Sequence, residues 1–586
     1  LIDEFDTQTR TSRSVKAYEE TGLGLLARDA KYRFNWNAPI HVSVHDPEVI
    51  YHGGNVLLKS SNRGFDWVEA SPDLTRNEDD KQGQGSGPYT NENIEQYNTI
   101  FSFAESPHDA KVLWVGSDDG LVHVTRDGGE NWDNVTPRGA GRGLINSIEV
   151  SPHDPATAYV VVMKYKEGDQ KPYVYKTSNY GSSWRSISTN LPEEHFARVV
   201  REDPERPNLL YAGMERGLFI SFDGGSSWRP FQGKLPVVPI TDLMLRQKDL
   251  VLATQGRAFW VIDDISPLRQ YDPAQEDAAL HLYEPTLAYR LTPTEGRAAG
   301  GESVAPSAPE GAVIYYSLAE EPDLAEQPLT LEILNAQGEV VRSMSSNAAK
   351  GVEGGVVKGE LALPAQKGVN RVVWDVRSDA VTPLDYDVVF GASNGSKSVS
   401  GYHLAPGAYT VRVSLGDEMA EQPLTVRWDP INEYNSDAIE EQQAVLAETF
   451  GMLDGLYQRV ASLQAVQEQL TLRKSLAEKA GNDELTDSAQ SLLDQLEDWQ
   501  RAVTTPDRET FQDVLNFHPR IDSFLVNYYE QVDKAVLGLT DGQRRRLDDL
   551  RPMWNEAIAG WESLVNEAIP AFNATAGPAL AVPDWE

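Results

Sequence analysis

Thr125-Arg126-Asp127-Gly128-Gly129-Glu130-Asn131-Trp132 is one of four stretches built to one plan. The others are Ser60-Ser61-Asn62-Arg63-Gly64-Phe65-Asp66-Trp67, Thr177-Ser178-Asn179-Tyr180-Gly181-Ser182-Ser183-Trp184 and Ser221-Phe222-Asp223-Gly224-Gly225-Ser226-Ser227-Trp228. The shared pattern is Ser/Thr-x-Asp/Asn-x-Gly-x-x-Trp. An Asp or Asn side chain can bond the backbone two residues on and tighten a turn. The glycine two places later takes a positive φ that other residues resist. The Trp offers a large apolar plate to wedge against a neighbouring unit. A β run such as Leu218-Phe219-Ile220 precedes each copy. Each motif therefore reads as a hairpin turn inside a repeated β unit, the mark of a propeller or solenoid.

A second element recurs beside the first: Ser43-Val44-His45-Asp46-Pro47, Ser106-Pro107-His108-Asp109-Ala110 and Ser151-Pro152-His153-Asp154-Pro155, with Arg201-Glu202-Asp203-Pro204 as a weaker fourth. Each unit then reads strand, His-Asp-Pro turn, strand, variable turn, strand, Gly-Trp turn, strand. Four antiparallel strands per unit make the blade of a β-propeller. Unit length varies, with the surplus in loops, chiefly 71–98. A fifth unit, Val238 to Pro267, keeps strands near 240–245, 250–254 and 258–262 without the motif. Leu1 to Val15 reads as a lone outer strand of a blade whose inner strands lie upstream. Residues 1–267 are thus expected to hold propeller blades.

Beyond them, 268–310 reads as a connector, Gly/Ala/Glu/Ser/Pro-rich at 295–310. Residues 311–429 alternate apolar and polar in about seven short runs, which predicts an immunoglobulin-like β-sandwich. From 430 to 570 the period changes to three and four. Leu446, Leu453, Leu456, Val460, Leu463 and Leu470 follow it, and so do Leu547, Leu550, Trp554, Ala557, Trp561, Leu564 and Ala568. The spacing predicts helices over about 436–479, 484–503, 519–537 and 541–568, packed as an antiparallel bundle. Pro552 would kink the last or mark its start. Residues 571–586 read as an extended tail. The fold class expected is multidomain and mainly β: a partial propeller, a sandwich, then an α-helical bundle.

The net charge of −37 argues against nucleic acid, whose phosphates would be repelled. It suits a solvated surface, a saline or extracellular setting, or cationic partners. With no cysteine there are no disulfides and no thiolate metal site. No apolar run approaches the ~20 residues that span a bilayer. The chain opens Leu1-Ile2-Asp3-Glu4, with neither an initiator Met nor a signal peptide, and reads as a mature or cut fragment.

The four Gly-Trp turns resemble the Asp-boxes, or BNR repeats, of sialidase-type and sortilin-type propellers. Asn35-Trp36-Asn37-Ala38-Pro39-Ile40, Ser71-Pro72-Asp73-Leu74-Thr75 and Ala253-Thr254-Gln255-Gly256-Arg257 resemble, more closely, large bacterial BNR-repeat glycosyl hydrolase proteins with a sortilin-like N-terminal domain. The resemblance covers residues 1–265 well and the rest loosely. It implies the C-terminal portion of a longer secreted protein, extracellular or periplasmic. It does not deliver an activity, since a shared fold does not establish a shared function.

In a four-stranded meander the first and third turns lie at one end, and the second turn and blade-to-blade loops at the other. The repeated His-Asp-Pro turns and Asp-boxes therefore share an end and read as scaffold. The variable turns share the opposite end: His52 to Asn55, Ser117 to Gly120, Met214 to Gly217 and Gln255 to Arg257. Function is expected there, because variable loops on a rigid scaffold carry binding. Asp118, Asp119 and Glu215 could supply the carboxylate pair of a glycosidase. They could equally offer oxygen ligands to a cation, or be turn residues with no task. Arg216 and Arg257 could grip a ligand carboxylate or pair with nearby acids on the surface; Arg138 and Arg142, on a loop that joins this face, are further ligand-binding candidates. Trp36 and Tyr97 could stack on sugars or pack inside. His45, His108 and His153 stand blades apart and read as turn residues. No cluster has zinc spacing, no phosphate loop opens a helix, and no cofactor is expected.

The reading that follows is a secreted or cell-envelope propeller protein binding a glycan or peptide within an extracellular assembly. The alternative is a glycoside hydrolase, sialidase-like or of another BNR-repeat type, working through carboxylates of that face. A third is a purely structural component. Partners expected are an N-terminal propeller portion of the same protein or a second copy, and the ligand.

Overall fold

The computed structural model describes residues 2–20, 25–83, 96–291, 309–346, 363–384, 399–431, 433–507, 516–535, 537–575 and 579–583. Most of the Gly/Ala-rich stretch at 295–310, and part of the loop at 71–98, lie outside these residues. The chain forms two compact units, Leu1–Arg269 and Gln270–Glu586.

The first unit opens with a hairpin, β1 (Asp3–Phe5) and β2 (Ser12–Ser14). Four meanders of four antiparallel strands follow. The first blade is β3 (Ile40–Val42), β4 (Ile50–Gly53), β5 (Leu57–Ser60) and β6 (Val68–Glu69). The second is β7 (Ile100–Glu105), β8 (Leu113–Ser117), β9 (Val122–Thr125) and β10 (Asp133–Asn134). The third is β11 (Leu144–Val150), β12 (Ala158–Lys164), β13 (Asp169–Thr177) and β14 (Arg185–Ser186). The fourth is β15 (Ala197–Glu202), β16 (Leu210–Met214), β17 (Gly217–Ser221) and β18 (Arg229–Pro230). The fifth has three strands, β19 (Ile240–Arg246), β20 (Asp249–Thr254) and β21 (Phe259–Ile262).

The Ser/Thr-x-Asp/Asn-x-Gly-x-x-Trp turn explains why each blade ends as it does. Its Asp or Asn Oδ1 accepts the N–H four residues on, not two: Asp66 to Asn62 at 2.9 Å, Asn131 to Asp127 at 3.0 Å, Ser183 to Asn179 and Ser227 to Asp223 at 2.9 Å. The leading Ser or Thr hydroxyl accepts the glycine N–H, as in Gly129 to Thr125 at 3.1 Å. That glycine has a positive φ in all four copies, +106° at Gly129. The Trp does more than wedge. Its Nε1 donates to a carbonyl of the preceding blade, just past the fourth strand: Trp132 to Ala70, Trp184 to Val135 and Trp228 to Ile187.

Trp67 makes the same bond to Val15, at 2.9 Å, just past β2. The Val15 N–H donates to the Ile2 carbonyl, as Ala70 does to Leu57, Val135 to Val122 and Ile187 to Val174. The N-terminal stretch is therefore no lone strand. β1 and β2 occupy the places of a blade's third and fourth strands. The sequence concealed this because the turn between them carries neither glycine nor Trp; Asp6 alone caps it, accepting from Gln8 and Thr9.

Blades stack through equivalent positions. The second strand sets an aromatic residue and, two places on, a small one toward the next blade: Tyr51 and Gly53, Trp114 and Gly116, Tyr159 and Val161, Tyr211 and Gly213. Tyr51 packs on Phe103 of the next blade's first strand, and Trp114, Tyr159 and Tyr211 share an apolar core with Ile148, Val200 and Leu243 of theirs. A Cβ on Gly116 would stand 2.3 Å from Ile145 Cγ2, and one on Gly53 or Gly213 would stand 2.8 Å from Ile100 or Ile240. Where Val161 replaces glycine, Ala197 replaces the isoleucine, and the two share one core. The histidine turns add a clasp at the other end. Nε2 of His45, His108 and His153 lies 2.8, 3.1 and 2.7 Å from the carbonyls of Ser106, Ser151 and Asp203 in the next blade.

After β21 comes a short helix, α1 (Ser266–Gln270). The second unit holds β22 (Leu280–Leu282), β23 (Ala288–Arg290), β24 (Ala312–Leu318), β25 (Leu329–Leu334), β26 (Val340–Ser345), β27 (Gly368–Trp374), β28 (Gly407–Leu415) and β29 (Glu418–Trp428). They form sheets ordered β22-β24-β27 and β23-β29-β28-β25-β26 around a shared apolar core. Two strands thus come from the stretch read as a connector. They are three residues long, and β23 runs parallel to β29, a pairing that local alternation cannot reveal. The helices are α2 (Ser436–Ala480), α3 (Asp483–Val503), α4 (Ile521–Asp533), α5 (Asp541–Ser563) and α6 (Ile569–Thr575), the last two joined by a π-helical turn, Leu564–Ala568. Asn435 caps α2, and Thr540 with Gln543 forms a capping box on α5, so Pro552 lies inside α5 and not at its start. Asp533 at the end of α4 accepts from the His403 backbone at 2.8 Å and from Arg377 at 3.1 Å, joining helices to sandwich.

Candidate ligand-binding face of the first unit

Among the described residues, each blade's second turn and the blade-to-blade loops emerge at one end of the first unit. The β8–β9 turn is the best-held of them. Asp118 Oδ1 accepts the Thr99 N–H at 2.9 Å, and Oδ2 accepts the Thr99 hydroxyl at 2.8 Å and Asn35 Nδ2 at 3.4 Å. Asp119 Oδ2 accepts Asn98 Nδ2 at 2.6 Å and the Arg76 N–H at 2.8 Å, while Oδ1 accepts the Ser117 hydroxyl. Arg76 also donates from Nε to the Asp119 carbonyl and from a terminal nitrogen to Gly141. Both carboxylates are buried, as are Asn98, Thr99 and Gln82. Burial, then the neighbouring charge of Asp119, pushes the Asp118 carboxyl up to about 7, against the pull of the two Thr99 bonds.

The network extends outward. Arg33, itself buried, donates to the Asn98 carbonyl at 3.1 Å and to Asp73 at 2.6 Å, and Asn55 Nδ2 donates to Asp73 at 3.0 Å. Glu78 grips Arg142 with both oxygens and also pairs with Lys81. The Arg142 bond, helped by Lys81 and opposed by desolvation, holds the Glu78 carboxyl down at about 2. Glu215 is placed elsewhere, two blades on, in the β16–β17 turn. There it pairs with Arg198 at 2.6 Å, which lies over the Phe196 ring. Asp118 and Asp119 are therefore brought together, and Glu215 is not joined to them by any contact among the described residues. Of the arginines, Arg142 is spent on Glu78, whereas Arg138, Arg216 and Arg257 are exposed.

Trp36 and Tyr97 part company. Tyr97 is 2 % exposed and Trp36 is 75 % exposed. The Trp36 turn is nonetheless fixed: Asn35 accepts the N–H groups of Asn37 and Ala38 and donates to Asp118. Next to it, Pro39 accepts from Gly53. Sequence reasoning named the acids but not Asn35, Asn98, Thr99 and Arg76, which hold them, nor Arg33, which holds Asn98. One signal did exist: Asn35, Asp73 and Thr75 all lie in two of the three segments that carry the closer family resemblance.

No protein-family model matches the chain, and no curated protein matches it. Among solved structures it is similar to YCF48 from Cyanidioschyzon merolae at 19 % identity, over 28 % of this chain and 53 % of that one, with a TM-score of 0.22. It is also similar to a GH74 enzyme of Niastella koreensis, at 12 % identity over 69 % and 58 % with a TM-score of 0.29. A third is the Swd1 β-propeller domain of Myceliophteria thermophila, at 12 % over 53 % and 87 % with a TM-score of 0.30. The chain spans about half the length of YCF48. The propeller architecture rests on the strand order and the blade-to-blade bonds described above.

Proposed function

We propose that the chain is a secreted or cell-envelope binding protein whose loop face takes a glycan or peptide, with Trp36 as the stacking platform. The observation that supports it is the pairing of an indole 75 % exposed with a turn anchored to a buried acid. A ligand meeting such a ring finds it already ordered, so less entropy is lost on binding. The ring suits the apolar face of a sugar, a proline or another aromatic group. Arg138, Arg216 and Arg257, exposed at the same end, offer partners to a ligand carboxylate. The sandwich, read as immunoglobulin-like, and the helical bundle serve the assembly.

Glycoside hydrolysis is the second reading, and Asp118 is what favours it. A carboxyl held near 7 is poised as a general acid. Against it, both oxygens of Asp118 and both of Asp119 are already engaged inside the protein. Screening the full chain against glycan and peptide arrays, with Trp36→Ala and Asp118→Asn beside it, separates the two. Loss of a captured ligand with Trp36→Ala but not Asp118→Asn supports binding. Release of reducing sugar that Asp118→Asn abolishes overturns it.

A further inference from the structure

From the second blade to the fifth, each first strand carries the same irregularity. The register passes from Ile100–Ser117 to Ser102–Gly116 and from Ile145–Val162 to Ser147–Val161. It passes likewise from Ala197–Met214 to Val199–Gly213 and from Ile240–Thr254 to Asp242–Ala253. One residue is therefore extra in each strand, at the same step: Phe101, Asn146, Arg198 and Thr241. Such a bulge re-aims a side chain and is common beside binding sites. These four lie where the first strands begin, at the end that carries the blade-to-blade loops.

Three of the four converge. Phe101 packs on the cluster of Leu144, Met163 and Phe196. Asn146 Nδ2 donates to the Arg198 carbonyl at 2.5 Å. Arg198 lies over the Phe196 ring and turns Nε and Nη2 onto one oxygen of Glu215, Oε2, at 2.8 and 2.6 Å. Thr241 instead donates to the Ala253 carbonyl. Among the described residues nothing binds Glu215 Oε1, Arg198 Nη1 or Asn146 Oδ1, and none of the three atoms is sealed from solvent. Tyr165 sets an apolar face beside them. It opens the turn after β12, Tyr165–Glu167, and stacks on Phe196 at 5.5 Å and 23°, with 41 % of it still exposed. Lys166, the next residue, stands near enough to Asp118 to draw its carboxyl down, so this turn reaches toward the one that holds Trp36.

We propose that Arg198, Glu215, Asn146 and Tyr165 form a subsite for an uncharged sugar ring, which makes the ligand of the loop face a neutral glycan and rests on the reading that this face binds. The donor and the acceptor left over on Arg198 and Glu215 belong to one ion pair. A hydroxyl both donates and accepts, whereas a peptide N–H only donates and a carbonyl only accepts. Adjacent hydroxyls of a sugar therefore meet this pair in either order, and Asn146 Oδ1 accepts from the next one along. The apolar face of the ring lies on Tyr165. Charge selects in the same direction. Glu215 already neutralises Arg198, so a ligand carboxylate placed here meets a like charge beside the cation. The pairing also holds both side chains in place before the ligand arrives, which lowers the entropy lost on binding.

The probes are the hexasaccharides of the malto, cello, xylo and chito series, with the hexamer of galacturonic acid as the charged comparison, each titrated into the full chain by calorimetry. Saturable binding of at least one neutral hexamer, and none of the galacturonate, is expected. Asn146→Ala and Tyr165→Ala are each expected to weaken it about tenfold. Tyr165 is an exposed site, so its variant answers even where Asn146→Ala lowers the melting temperature. A bound hexamer indifferent to both substitutions overturns the subsite. So does tighter binding of the galacturonate. Where no neutral hexamer binds but a peptide array gives a capture that Trp36→Ala abolishes, the subsite falls and the loop-face reading stands. Where neither sugars nor peptides bind, both fall.

Discussion

At Asp118 the physics of one side chain sets a pH dependence. Its carboxyl is raised to about 7 in the folded chain, from an ordinary value near 4 when unfolded. The folded state therefore holds the proton more tightly. That contribution to stability is complete below about pH 4 and is lost as pH rises through about 7. Asp118→Asn, a neutral side chain of the same shape, removes this dependence. Its melting temperature is expected to vary less than the parent's between pH 4 and pH 7, by differential scanning fluorimetry. Asp119→Ala acts differently. It strands the Asn98 amide, the Arg76 N–H and the Ser117 hydroxyl in a buried site, at a cost of about 3 kcal/mol in urea unfolding. A sequence shows that two acids adjoin. It does not show that the groups holding them lie 21 and 43 residues away, and this is why they read as catalytic candidates on an open turn.

At the scale of the blade, the sequence was far more legible. The Ser/Thr-x-Asp/Asn-x-Gly-x-x-Trp turn encodes its own geometry within eight residues, so spacing alone located four blades. The Trp bond to the preceding blade was not encoded, because its acceptor is a backbone carbonyl with no residue signature. Trp132→Phe and Trp184→Phe each remove one such bond and keep an aromatic ring, a smaller one. Each is expected to cost about 1 kcal/mol, and the two to add, since they sit in different seams. The small-to-large seam makes a sharper test. Gly116→Val drives a side chain onto Ile145 and is expected to cost about 2 kcal/mol. Adding Ile145→Ala recreates the Val161 and Ala197 arrangement and is expected to recover at least half of that loss. A double-mutant cycle by chemical denaturation shows it, and additive losses would disprove the pairing.

Over the whole chain, helices and strands carried different amounts of information. The three-four stripe of α2 and the Thr540 cap made the helical region readable. The sandwich was readable only in its longer strands, since β22 and β23 are too short to show a period. Within the second unit, Asp533 ties the two kinds of structure together through His403 and Arg377. Asp533→Ala removes the acceptor of the His403 N–H and of the half-buried Arg377, and is expected to destabilise that unit by about 2 kcal/mol, splitting its calorimetric transition into two.

The three histidine clasps along the first unit carry one more consequence. A carbonyl oxygen can only accept, so Nε2 of His45, His108 and His153 must be the donor in each. Each imidazole is thereby held in one orientation, with Nε2 bearing the hydrogen. Because each acceptor is a main-chain oxygen, no side-chain exchange at Ser106, Ser151 or Asp203 takes it away, and the fastening tolerates drift in the sequence of the neighbouring blade.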